Sequence, residues 1–149
     1  MPDHARSVFP CFDQPDLKAR FALTLLLPEQ WQAISNGKQT DRQASTDLPG
    51  IDIVRFAESD PLPTYLFSFT AGRFDTYTAA CDGRDITILY RETDPAKVAQ
   101  LPQIADEMAR SIRWMEQYTG IRQPFAKYGT VVLPGYQFGG MEHPGCIQL

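Results

Sequence analysis

Hydrophobic spacing changes once along this chain, and that change bounds the fold. Val98, Leu101, Ala105, Met108, Ile112 and Met115 recur at steps of 3, 4, 3, 4 and 3, which places them on one face of a helix packed on a core. Asp94-Pro95 supplies an N-cap and a first-turn proline, and Gly120 stands where a C-terminal glycine belongs. Pro102 predicts either a kink or a true helix start near that residue, because an interior proline costs about 3 kcal/mol. Upstream, short apolar runs between Pro, Gly and Asn read as strands. Residues 21–27 read as a buried strand stopped by Pro28. Residues 33–35 read as a strand entering an Asn36-Gly37 tight turn. Residues 51–56, 65–69, 74–78 and 86–90 read as further strands, and the polar residues 38–50 as a loop or hairpin end. After the helix, residues 129–133 read as a strand, Pro134-Gly135 as a turn and residues 136–149 as a second extended stretch. The fold class is therefore α+β: strands, followed by a strand-helix-strand unit. A composition shift at Asp82-Gly83-Arg84 divides the chain into residues 1–82 and 83–149.

The 149 residues suffice for one domain or pieces of two. Fourteen Lys and Arg against eighteen Asp and Glu give a net charge of −4, without a basic cluster, which argues against a nucleic-acid partner. No apolar run approaches the roughly 20 residues of a membrane helix, and no signal-peptide h-region is visible. The compartment stays open. Cys11, Cys81 and Cys146 make an odd count without a C-x-x-C spacing. That is neither a disulfide framework nor a zinc ribbon; free thiols, buried or half-buried, are expected, with one disulfide plus one free thiol as the open alternative. H-E-x-x-H, G-x-S-x-G, the P-loop and the dinucleotide fingerprint are all absent from the sequence. Only two histidines are present, His4 and His143.

Two stretches carry chemistry. In Gly139-Gly140-Met141-Glu142-His143-Pro144-Gly145, glycines beside an extended strand let another backbone come close, and a carboxylate follows them. A peptide docked there by strand addition would use main-chain hydrogen bonds, and Glu142 would meet its free α-amino group. A bulge or turn with a solvated glutamate is the alternative. Residues 5–21 read as a proline-pinned loop feeding a strand, with Phe9 and Phe12 as anchors and an Arg6–Asp13 ion pair fixing the loop.

Taken in order, A-R-x-x-F-P-C-F-D-x-P-x-x-K-A-x-F from Ala5, A-I-S-N-G from Ala33, P-L-P-T-Y-L-F-S-F-x-A-G-x-F from Pro61, the long helix and G-G-M-E-H-P-G from Gly139 resemble the zinc-dependent aminopeptidases typified by aminopeptidase N, a family that includes leukotriene A4 hydrolase. The resemblance implies that the strands are mostly antiparallel β, with residues 1–82 forming the later part of a saddle-like N-terminal β domain and residues 83–149 the start of a thermolysin-like catalytic domain. It implies substrate binding by Gly139, Gly140, Met141 and Glu142, with Glu142 on the peptide's free amine. His143 departs from the family's G-x-M-E-N, where an Asn stands, and reads as a hydrogen-bonding substitute behind the anchor or as a shift in pH profile. The resemblance further implies zinc in a full-length parent, with H-E-x-x-H, a later Glu and a Tyr following residue 149. This chain then carries no metal ligand and no catalytic residue, reads as an excised, inactive piece, and self-associates through exposed sheet edges. A non-catalytic module binding a peptide or protein, and an epoxide hydrolase of the leukotriene type, are the alternatives to peptide hydrolysis.

Overall fold

The computed structural model describes residues 4–81, 83–125, 127–137 and 139–149. Its strands are β1 (Lys18–Ala19), β2 (Thr24–Pro28), β3 (Gln32–Ser35), β4 (Gln39–Ala44), β5 (Ile51–Phe56), β6 (Leu62–Pro63), β7 (Phe69–Gly72), β8 (Asp75–Cys81) and β9 (Arg84–Tyr90). Helices α1 (Pro95–Val98) and α2 (Leu101–Thr119) follow, then β10 (Tyr128–Val131) and β11 (Ile147–Gln148). Most pairings are antiparallel: β1 with β6, β2 and β4 on either side of β5, β3 with β7, and β8 with β9. The parallel pairs are β9–β10 and β10–β11. Strand β9, helix α2 and strand β10 thus make a crossover unit, the expected strand-helix-strand. No described helix is long and apolar enough to cross a membrane.

Strand β9 organises the core because it is apolar on both faces. Ile86 and Ile88 pack under Leu101, Ala105 and Ala109 of α2. Leu89, one residue out of phase, faces the other way and joins Ile34 of β3, Val131 of β10 and Cys146. A third cluster, Leu27, Val54 and Phe56, fills the β2–β5 sheet with Trp31 and Ala33 beside it. Period-two side-chain alternation is what lets one strand join the helix layer to the β3 layer.

Of the two readings at Pro102 the structure has the helix start, not the kink: it lies in the first turn of α2, after α1 has ended, where its missing N–H costs nothing. Other expectations are corrected. The buried row is Leu101, Ala105 and Ala109, while Met115 is 50% exposed. Near Met115 the helix reaches the end of the sheet, where Glu116 meets Arg84, the first residue of β9, at 2.6 Å. Strand β2 is mostly surface rather than buried, with Leu26 58% exposed. Of residues 38–50, expected as a loop or hairpin end, 45–50 are the hairpin end joining β4 to β5, whereas 39–44 form β4 itself, an all-polar strand save Ala44, tied back when Arg42 donates to Asp52 (2.7 Å) and the Trp31 carbonyl (3.0 Å). Asn36-Gly37 closes no hairpin, because β3 pairs with β7 and β4 with β5; it carries the chain between sheets.

The boundary expected at residues 82–84 falls between β8 and β9, which pair over their whole length in one four-stranded sheet. Asp82 lies outside the described residues, and so does the Cys81 side chain. The remaining cysteines, Cys11 and Cys146, are free thiols. In the first loop, Phe9 sits against Phe21 and Phe67, themselves stacked at 4.5 Å, but Phe12 is 82% exposed and anchors nothing. Asp13 holds this loop through the Thr64 hydroxyl (2.7 Å) and the Arg6 backbone N–H (3.2 Å). Those bonds, the Thr64 hydroxyl first, keep its carboxyl below the usual carboxylate range.

Candidate functional site

The stretch from Met141 to Gln148 is a tight hairpin, not one extended strand. Met141 and Gln148 exchange both backbone bonds, 2.8 and 3.0 Å. The Cys146 N–H then closes a turn on the His143 carbonyl at 2.9 Å. Pro144 and Gly145 are its central residues, and Gly145 has φ +70°. Proline followed by a left-handed glycine is the sequence demand of a type II turn. Leu149 continues the ladder onto Val131, at 3.0 Å.

Glu142 stands between the Met141 bridge and this turn, exposed to solvent. Among the described residues its carboxylate takes no hydrogen bond and no ion pair. Gly140 lies against Leu149, whose Cδ2 is 3.0 Å from the place of a Cβ, whereas nothing lies within 4 Å of that place at Gly139. Met141 is half-buried. The hairpin therefore presents one unpaired carboxylate beside open backbone.

The turn is held from three directions. The Asn36 side-chain N–H₂ donates to the Pro144 carbonyl (2.8 Å) and to the Leu66 carbonyl (3.0 Å), while its oxygen accepts from the Ser68 N–H (2.9 Å). His143 Nδ1 donates to the same Leu66 carbonyl at 3.2 Å. Lys127 Nζ donates to the Gly145 carbonyl; burial pushes its ammonium down to about 8. Behind the turn, the buried Cys146 thiol faces the Ile34 carbonyl at 3.8 Å, and burial raises it. The sequence marks none of Asn36, Leu66 and Lys127 as a site residue; Asn36 figures in it only as a turn signal with Gly37 and within the A-I-S-N-G stretch.

The carbonyl partner of His143 fixes the Nδ1–H tautomer. Burial is the main cause that lowers its pKa below the ordinary 6.5, against the Leu66 carbonyl and Glu142, which raise it. The neutral ring is thus favoured on folding. The unfolded chain binds this proton first as pH falls, so the stability from neutral His143 is complete above about 6.5 and is lost between there and the folded value. An NMR titration of the imidazole is expected to give a midpoint below 6.5; a midpoint above it would contradict this packing.

Among the described residues no three His, Cys, Asp or Glu side chains come together as a metal site. The described residues do not fit a zinc centre.

The Peptidase M1 N-terminal domain family matches residues 1–66. A probable aminopeptidase 2 of Sulfurisphaera tokodaii is 31% identical over 97% of this chain and 18% of its own length. The glutamyl aminopeptidase of Sus scrofa is 30% identical over 98% of this chain and 15% of its own, and an aminopeptidase N of Streptomyces lividans is 27% identical over 100% and 17%. The chain spans less than a fifth of these curated relatives' length. Together, the domain match and the end-to-end similarity to aminopeptidases place the chain in the peptidase M1 family.

Proposed function

We propose that this chain is part of a longer zinc aminopeptidase, in which it binds the N-terminus of a peptide substrate. One observation carries the reading: Glu142 is an exposed, unpaired carboxylate on a hairpin whose backbone is held on both sides. In the proposed complex the substrate's α-ammonium pairs with Glu142, a charge-assisted bond stronger than a neutral one. The substrate backbone runs along Gly139, Gly140 and Met141, where the absence of a Cβ at Gly139 leaves room. His143 follows the carboxylate and, through the Leu66 carbonyl, helps to hold the backbone that carries it. A fixed ammonium anchor admits only chains with a free amine and sets how far along them the enzyme acts.

In the same proposal, residues 1–82 belong to the N-terminal β domain and residues 83–149 open a thermolysin-like catalytic domain. The β9–α2–β10 crossover supports that division. The β8–β9 ladder qualifies it, since residues 75–81 share the second part's sheet. Zinc, and the residues that activate water, are assigned to parts of the longer protein outside this chain.

The test is an arylamide assay on the longer enzyme, with and without a zinc chelator, for wild type and Glu142→Ala. Chelator-sensitive activity is expected, with kcat/KM about 10- to 100-fold lower in Glu142→Ala, the equivalent of about 1.5–3 kcal/mol for a hydrogen bond to a charged group. Full activity in Glu142→Ala would remove the anchor role. No activity in zinc-loaded wild type, on arylamides and free peptides alike, would favour a non-catalytic binding module.

A further inference from the structure

We infer that Asn36 is a positioning residue for the Glu142 anchor: it grips the turn that follows Glu142 from a segment more than a hundred residues upstream. The inference rests on the proposed role of Glu142.

The Asn36 amide is fully used. Its two N–H groups go to the carbonyls of Leu66 and Pro144, and its oxygen takes the Ser68 N–H. An amide has two donors on its nitrogen, so neither is left over. This also fixes its orientation, because the reverse would set oxygen against two carbonyls and N–H₂ against an N–H. Aspartate has the same shape but no hydrogen to donate, and glutamine is one methylene too long for all three partners. His143 adds a second link, to the Leu66 carbonyl already bound by Asn36. Asn36 and Leu66 both lie in the segment matched by the N-terminal domain family, residues 1–66, and Glu142 does not. The backbone carbonyl of Asn36 forms the floor under Gly145, 2.5 Å from where a Cβ would stand.

Among the described residues Glu142 makes no side-chain bond of its own, so its place is set by its backbone. Upstream, the Met141–Gln148 exchange sets it; downstream, the turn does, as Asn36, His143 and Lys127 hold it. A displacement of about 1 Å in a positioned group lowers activity about a hundredfold. Loss of the Asn36 grip therefore weakens recognition of the substrate amine itself, not stability alone.

The experiment uses the longer enzyme with L-leucine hydroxamate and its des-amino counterpart, 4-methylpentanehydroxamic acid. The readout is the ratio of their dissociation constants, which isolates the amine. Variants are Asn36→Asp, His143→Ala and, as reference, Glu142→Gln. We expect Glu142→Gln to bring the ratio close to one, Asn36→Asp to lower it at least tenfold and His143→Ala about threefold. A ratio unchanged in Glu142→Gln would overturn the anchor reading and this inference with it. A collapsed ratio in Glu142→Gln, but one within twofold of wild type in Asn36→Asp, would overturn the positioning role alone, even if Tm fell. Should Asn36→Asp not fold, His143→Ala decides on the same criterion.

Discussion

Gly145→Ala is expected to destabilise the chain by about 3 kcal/mol or more, read as a lower urea midpoint at unchanged slope. Two effects add. A φ of +70° is unfavourable for any residue with a Cβ, and that Cβ would stand 2.5 Å from the Asn36 carbonyl oxygen. The obstacle is backbone, so no side chain can swing aside. Gly50→Ala is the matched control. Its φ is +76°, with nothing within 4 Å of the added carbon, so it keeps only the conformational part, about 1 kcal/mol. Equal losses at the two positions would show that the contact between Asn36 and the Gly145 turn is not made in solution.

Ile88→Ala is expected to lose about 3–4 kcal/mol, within the range for deleting a large buried aliphatic group. Ile88 has no exposed surface and sits in β9, which is paired on both sides and roofed by Leu101, Ala105 and Ala109. Those neighbours belong to a helix and two ladders, so they close poorly around a void. Leu26→Ala removes the same kind of atoms from a residue 58% exposed, and less than about 1 kcal/mol is expected. Urea titrations of both variants check the pair. A loss below about 1 kcal/mol at Ile88 would mean that α2 does not pack on that face of the sheet.

Signals that are local in sequence were legible. The run from Ile86 to Tyr90 became the expected strand and the stripe from Leu101 onward became α2, while the Asp94-Pro95 cap starts only the four-residue α1. The short G-G-M-E tetrad was readable as a place where a backbone could approach a carboxylate, because those residues are adjacent. Strand β4 was missed because five of its six residues are polar, and its place comes from the apolar partner β5 rather than from its own pattern. Met115 was misplaced because periodicity tells which way a side chain points, not where the sheet beneath it ends. Asn36 was misread for a like reason. Asn-Gly is a turn signal by itself, while the partners that give this residue its work lie 30, 32 and 108 residues away.

That last separation bears on how the chain assembles. Closing a loop of 108 residues, the spacing from Asn36 to Pro144, costs on the order of 4 kcal/mol of chain entropy. One hydrogen bond does not repay that alone, so the contact should form after the nearer β2–β5 and β8–β9 ladders have gathered the chain. Its loss would then appear in the unfolding rate and leave the folding rate unchanged, which a chevron plot of Asn36→Ala measures. The carboxylate loop would thus be the last part of the molecule to take its shape, and a partly folded chain would present no formed hairpin around Glu142.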